Sequence, residues 1–265
     1  MKTKLFIISF LLFLSCRKSE LPKDEFSGYD VFLVAGQSNT LNGVGIIPEI
    51  DLVDDGILQL GRWDNMNLKI IKAIEPLDHH HKRPGKIGFA LSFAKIYLKN
   101  LLQANRKVLL IAAGKGSSGF INHSWNKGDP LYEDAVFRVK HVLNTYRGSE
   151  FKAILWQQGE ADVYNDSFQK SLDHMILSFR QDVRVNVPFI LGGMVPYWVN
   201  IHTPRQDLQK ILQNTEHRVA NSAYADPELP FLINKLNPHN DAIHYDAEGQ
   251  RELGKRYYTA YLRVR

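Results

Sequence analysis

Apolar residues in this chain fall into short unbroken runs, separated by longer stretches of helical spacing. The runs at residues 31–35, 108–112, 153–156, 189–192 and 231–233 are nearly continuous in Val, Ile, Leu, Phe and Ala. Runs of this kind suit strands buried on both faces of a parallel sheet, where no polar face remains to alternate with the apolar one. Between them, residues 88–102, 131–146, 168–183, 205–220 and 247–262 repeat apolar positions every three or four residues, as in Phe89, Phe93, Ile96 and Tyr97. That spacing predicts amphipathic helices. The alternation of strand and helix predicts an α/β fold with a central, mostly parallel sheet of about five strands and right-handed crossovers. In open sheets of this class the working residues gather at the carboxyl ends of the strands. Residues 41–83 break the pattern: they read as irregular, rich in Gly and Asp, and long enough to shape a cleft.

The amino-terminal end follows a different logic. Lys2 and Lys4 precede an apolar run at residues 5–14, followed by Ser15 and Cys16. A basic end, an apolar stretch too short to span a bilayer and a small residue at the cut together predict an export signal. Cys16 is the chain's single cysteine, which excludes an internal disulfide and a multi-cysteine metal site. The segment Phe13-Leu14-Ser15-Cys16 resembles a bacterial lipobox, which implies lipidation of Cys16 as the first mature residue. The expected division is therefore a signal at 1–16, a tether at 17–27 and one domain at 28–265. The expected location is the cell envelope, lipid-anchored, or secreted if Cys16 is not lipidated. With 265 residues, 44% of them hydrophobic, there is enough chain for one well-filled core. The net charge of +5 is spread along the chain, and the one dense basic run is His79-His80-His81-Lys82-Arg83. Zinc-finger spacing and a basic helix with interleaved aromatics are both lacking, so nucleic acid is not an expected partner.

Four segments at the predicted strand ends carry candidate chemistry. Gly36-Gln37-Ser38-Asn39 follows the first run, and the glycine permits a tight turn that presents the Ser38 hydroxyl. Taken alone, the same spacing reads equally well as a simple turn. Gly114-Lys115-Gly116-Ser117-Ser118 follows the second run; its glycines let backbone N–H groups approach a ligand, or simply turn the chain. Trp156-Gln157-Gln158-Gly159-Glu160-Ala161-Asp162 closes the third run with a polar, acidic cluster that folding alone does not require, and Gln158 has an N–H to offer a developing oxyanion. Asp241-Ala242-Ile243-His244 stands before the last helix. An Asp three residues ahead of a His is placed to bond one imidazole nitrogen and leave the other for a hydroxyl. Asp246 fits the capping position of the following helix, which frees Asp241.

Taken in order, these four segments resemble the SGNH hydrolase superfamily, and within it the sialate O-acetylesterase and plant-type acetylxylan esterase branch. The resemblance extends from about residue 30 to 258. It implies a three-layer, flavodoxin-like fold and a serine acetylesterase that removes O-acetyl groups from a sugar or polysaccharide through an acetyl-serine intermediate, without cofactor or metal. Ser38 would be the nucleophile, His244 its base and Asp241 the acid that orients His244. The oxyanion hole would comprise the backbone N–H groups of Ser38 and Gly116 and the side chain of Gln158, with Gln37, Asn39, Glu160 and Asp162 in support. Lys115 replaces the first of two adjacent glycines usual in the family, and Thr40 replaces a methionine, a change expected at the acyl pocket.

Rival readings sharpen these assignments. Glu160 and Asp162 are alternative acids for His244, and His239 is the nearest alternative base, although it lacks an acid three residues before it. The run His79–His81 reads as exposed loop rather than metal site, because no acidic or cysteine cluster accompanies it. Trp125, Tyr197 and Trp198 are open to two readings, stacking on sugar rings or packing in the core. A lipid or thioester hydrolase on the same scaffold, and a non-catalytic surface glycan-binding lipoprotein, are the competing functions. Filled catalytic positions argue against the second of these.

Overall fold

A computed structural model describes residues 25–52, 54–235 and 240–265. The signal, Cys16, most of the tether and His239 lie outside the described residues. Among the described residues the strands are β1 (Gly28–Gly36), β2 (Gly43–Val44), β3 (Ile57–Leu60), β4 (Ile70–Lys72), β5 (Lys86–Ile87), β6 (Arg106–Ala112), β7 (Glu150–Gln157), β8 (Phe189–Gly192) and β9 (Ser222–Ala225). The helices are α1 (Ala90–Asn100), α2 (Pro130–Thr145), α3 (Phe168–Val183), the single turn α4 (Pro196–Val199), α5 (Thr203–Arg218) and α6 (Ala247–Leu262).

Seven strands form one sheet in the order β4-β3-β6-β1-β7-β8-β9, with β2 and β5 as a separate two-stranded pair. All pairings in the main sheet are parallel except β3 with β4. The alternation of side chains along β1 divides the core. Val31, Leu33 and Ala35 pack with α2 and α3 on one face, whereas Phe32 and Val34 pack with α1 and α6 on the other. Both clusters are buried, which makes the architecture the expected three-layer α/β arrangement.

The sheet is wider than the five strands expected from the apolar runs. Its two further strands, β3 and β4, lie inside the stretch read as irregular. They escape the pattern because they are short and because Gln59, buried in β3, interrupts the apolar run. That glutamine is satisfied inside the sheet edge: Nε2 donates to the Lys72 carbonyl at 3.1 Å and Oε1 accepts from Asp78 N–H at 2.7 Å. A second correction concerns residues 231–233, which are not a strand. Phe231 and Leu232 are exposed, and the Ile233 N–H closes a loop onto the Pro227 carbonyl at 2.8 Å. The edge position belongs instead to β9, whose small residues Ser222, Ala223 and Ala225 lack the bulk that marks a buried strand in sequence. The helices predicted at 168–183 and 247–262 match α3 and α6, and the other three long helices differ from their predicted limits by one or two residues at each end.

Strand β1 lies at the centre, with β6 on one side and β7 on the other. The crevice beyond its carboxyl end is therefore the switch point of the sheet, where α/β folds of this type bind ligands. The three loops that leave β1, β6 and β7 there are three of the four segments with candidate chemistry.

Candidate active site

The turn after β1 is built by a glycine that nothing else can replace. Gly36 has φ 125°, and a Cβ there would lie 2.1 Å from the Gln157 carbonyl oxygen at the end of β7. The close approach lets Gln37 N–H donate to that carbonyl at 2.9 Å and starts a 3₁₀ turn over Ser38–Thr40. Thr40 is fully buried, its hydroxyl donating to the Gln37 carbonyl at 2.6 Å. It braces the turn from inside.

The loop before α6 comes to this turn from 206 residues away in sequence. His244 Nε2 lies 2.9 Å from Ser38 Oγ. On the other edge of the ring, Nδ1 is 2.9 and 3.0 Å from the two carboxylate oxygens of Asp241, and the His244 N–H donates to Asp241 Oδ1 at 3.2 Å. A carboxylate only accepts, so Nδ1 carries the proton and Nε2 offers its lone pair to the serine hydroxyl. Burial pushes the Asp241 carboxyl up, but its bonds to His244 and the charge of Lys235 outweigh it and hold Asp241 below its ordinary value. Asp246 caps α6, its side chain accepting from Gly249 N–H at 2.8 Å.

Asn39 joins the two loops. Its Nδ2 donates to Glu160 Oε1 at 2.5 Å and to the Ile243 carbonyl at 3.0 Å, and its Oδ1 accepts from Tyr245 N–H at 3.0 Å. Gln250 from α6 donates to the Asn39 carbonyl at 2.9 Å. Gln37 adds a staple to the third loop by accepting from Ala161 N–H at 3.0 Å. Glu160 thus touches Asn39 rather than His244. Burial raises its carboxyl to about 7 despite that bond, and Glu160 Oε2 has no partner among the described residues.

Asp162 is fully buried and organises the neighbouring loops. One carboxylate oxygen accepts from Phe120 N–H at 2.8 Å and from Gln158 Nε2 at 2.6 Å, the other from Ile121 N–H at 2.8 Å and Asn165 Nδ2 at 2.9 Å. Gly119 makes room for it, since a Cβ there would lie 2.4 Å from Asp162 Oδ2. Gln158 therefore has one amide hydrogen committed to Asp162 and a second still to give. Neither the Ser38 nor the Gly116 N–H donates to an acceptor among the described residues.

Several participants escape the sequence reading. The histidine run is not simply exposed loop. His79 is buried, its Nδ1 accepting from Gly114 N–H at 2.9 Å, and burial drives its pKa down to about 3, so it stays neutral. His80 N–H donates to the Gly114 carbonyl at 3.0 Å, and His80 Nε2 lies 3.2 Å from Asp134. Both histidines thus hold the loop that carries Gly116. Asn42 Nδ2 is 3.2 Å from His244 Nε2, and Lys235 lies 3.8 Å from Asp241 while donating to the His244 carbonyl. A lone Asn or Lys in a loop leaves no sequence signal for such a role. Of the aromatics, Trp125 is a core residue whose Nε1 donates to Ser118 Oγ at 2.8 Å, Trp198 is half-buried beneath Arg205, and Tyr197 is exposed.

Comparison with known proteins finds relatives named as carbohydrate esterases and deacetylases. The chain is 27% identical over 259 residues to a probable carbohydrate esterase of Arabidopsis thaliana, covering 88% of this chain and 90% of that one. It is 24% identical over 223 residues to a probable 9-O-acetyl-N-acetylneuraminic acid deacetylase of Escherichia coli K12, covering 64% of this chain and 68% of that one. The crystal structure of NanS shares the fold, with a TM-score of 0.76 at 21% identity over 90% of this chain and 98% of that one. The sequence profile of one family matches residues 28–263, nearly the whole described chain, and by that match the chain belongs to the carbohydrate esterases described as sialic acid-specific acetylesterases.

Proposed function

We propose that this chain removes O-acetyl groups from a carbohydrate by acyl transfer through Ser38. The observation that carries the reading is the 2.9 Å contact between Ser38 Oγ and His244 Nε2, with Asp241 on the opposite edge of the same ring. Ser38 Oγ attacks the acetyl carbonyl as its proton passes to His244 Nε2. The tetrahedral oxyanion is received by the N–H groups of Ser38 and Gly116 and the second amide hydrogen of Gln158. His244 then gives its proton to the sugar oxygen as the C–O bond breaks, leaving acetyl-Ser38. Water, activated by the same imidazole, releases acetate and restores the serine. Asp241 keeps the proton on Nδ1 and stabilises the imidazolium that forms at each step. A donor in the oxyanion hole contributes about 3–4 kcal/mol to such a barrier.

The substrate class follows the family and the relatives: an O-acetylated sugar of sialic acid type, as in the Escherichia coli relative's name, or a plant polysaccharide such as xylan. Turnover of p-nitrophenyl acetate beside a long-chain ester tests the reaction. Preference for the long chain would favour a lipid hydrolase, and no turnover of either would favour a glycan-binding protein. Acetylated xylan against O-acetyl sialic acid tests the sugar.

Export and anchoring through Cys16 belong to the same proposal. They are supported by Lys2 and Lys4, the apolar run and the Ser15-Cys16 pair. Fractionation of wild type and Cys16→Ala tests this: the wild type should partition with membranes, and a wholly soluble, processed wild type would defeat lipidation.

A further inference from the structure

Beside the loop that carries Gly116 lies a surface cavity of about 460 Å³ lined by Trp63, His80, His81, Lys82 and Arg83. Its wall is fixed in place. His79 and His80 bond Gly114, and Arg62 bonds the Asp78 carbonyl at 3.2 Å, Asp134 at 2.8 Å and the Ala112 carbonyl at 2.8 Å. The guanidinium groups in that wall are paired, Arg62 and Arg138 both with Asp134. The charges facing outward are not. Arg83 and Lys115 have no acidic partner among the described residues, and Lys82, which lies over the Trp63 ring, has the exposed Asp64 at 3.6 Å. Arg83 Nη2 and His81 Nδ1 lie 3.7 and 3.4 Å from where a Cβ on Gly116 would stand, so the guanidinium rests against the proposed oxyanion loop itself. His81 Nδ1 has no hydrogen-bond partner among the described residues. Burial first, then the charges of Arg83 and Lys115, holds His81 below the ordinary imidazole value.

We propose that Arg83, with Lys115 and His81 beside it, forms an anion subsite that receives a carboxylate of the acetylated glycan and makes acidic substrates preferred over neutral ones. The inference rests on the esterase reading and adds to it the residues that select the substrate. A guanidinium matches a carboxylate with two parallel N–H donors, and its place next to Gly116 sets the captured group a short distance from the ester being cleaved. The carboxylate has two possible sources of the same chemistry, the sugar that bears the acetyl group or a neighbouring uronate unit in an acetylated chain.

The test is a ratio measured within each protein: kcat/KM for O-acetylated N-acetylneuraminic acid over that for its carboxyl methyl ester. An acetylated, uronate-bearing xylooligosaccharide against its carboxyl-reduced form gives the second arm. In wild type the acid should be favoured about fivefold in one arm, a size suited to an exposed charge pair. The arm that shows it identifies the source of the carboxylate. The preference should shrink as ionic strength rises. It should approach one in Arg83→Ala, survive largely in Arg83→Lys and reverse in Arg83→Glu. Calorimetric binding of the deacetylated acid and its methyl ester to Ser38→Ala gives the same comparison without turnover. A preference near one in both arms and in calorimetry, while p-nitrophenyl acetate is hydrolysed, would overturn the subsite and leave the esterase reading intact. Equal ratios in wild type and Arg83→Ala would overturn it as well. Failure of every ester with the calorimetric preference kept would sink the esterase reading instead.

Discussion

Asn39 Nδ2 donates to Glu160 Oε1 at 2.5 Å and, through its other hydrogen, to the carbonyl next to His244. One amide therefore sets the distance between the nucleophile turn and the loop that supplies its base. Glu160→Ala removes the acceptor and frees Asn39, and is expected to lower kcat about tenfold or more with a smaller change in KM. Glu160→Gln keeps a carbonyl oxygen in place and should recover most of the loss. Full kcat in Glu160→Ala would show the tether to be idle.

The same carboxyl governs a stability difference with pH. Burial raises Glu160 to about 7 from its ordinary 4.5. Between those values the folded chain holds a proton that the unfolded chain has lost, so this group's contribution to stability falls as pH rises. Glu160→Gln abolishes the term. Thermal unfolding should show the variant gaining on wild type from pH 5 to 8, by about 3 kcal/mol at most. Glu75, raised to about 8 by burial, acts in the same direction in both proteins and cancels in the comparison. A difference that is flat across the range would mean that Glu160 is ionised in the fold at all these pH values.

His79 gives the opposite sign. Its folded pKa, about 3, lies below the ordinary 6.5, so stability from this group is complete above 6.5 and is lost as pH falls toward 3. Replacing it by Phe leaves Gly114 N–H unpaired in the interior and is expected to cost about 1–3 kcal/mol at neutral pH, with less acid sensitivity than wild type. Chemical denaturation at pH 7 and pH 5 measures both. Wild-type stability at pH 7 in His79→Phe would remove the histidine from its place beneath the Gly116 loop.

What the sequence makes legible and what it hides divide along physical lines. Continuous apolar runs mark β1, β6, β7 and β8 because strands buried on both faces tolerate little else. β9 is hidden because Ala223 and Ala225 are too small to signal burial, while Phe231 and Leu232 mimic a strand from an exposed loop. At the site, Ser38, Asp241 and His244 stand at legible places, the serine behind a strand and glycine, the acid and base at a fixed spacing. The structure brings all three together. His79, Asn42 and Lys235 were invisible as participants because their roles depend on which loop lies opposite, and that is a property of the sheet order rather than of neighbouring residues. Asp162 was readable as part of an acidic cluster, but not as the residue that fixes Gln158.

The orienting acid is tested by Asp241→Asn. An amide at this position presents a donor as readily as an acceptor to Nδ1, so the imidazole loses its fixed tautomer while the substrate cleft is unaltered. Turnover should fall about a hundredfold or more and KM by a modest factor. If Glu160→Gln proves the more damaging substitution, Glu160 holds the orienting role.

The central test addresses the pair itself. A serine hydroxyl is protonated at neutral pH and is a weak nucleophile, so Ser38 depends on the lone pair that His244 Nε2 presents at 2.9 Å. Ser38→Ala and His244→Ala should each remove turnover by about ten-thousandfold or more. Because the two side chains perform one proton transfer, neither retains its value without the other, and the double variant should be little slower than either single one. A serine-directed organophosphonate should label Ser38 in wild type to one equivalent and fail to label His244→Ala at a comparable rate. Chelators should leave the wild-type rate unchanged, since no step in this chemistry passes through a metal ion. Activity that survives Ser38→Ala and disappears on chelation would place the reaction elsewhere in the chain, and the histidine run would then have to be examined for it.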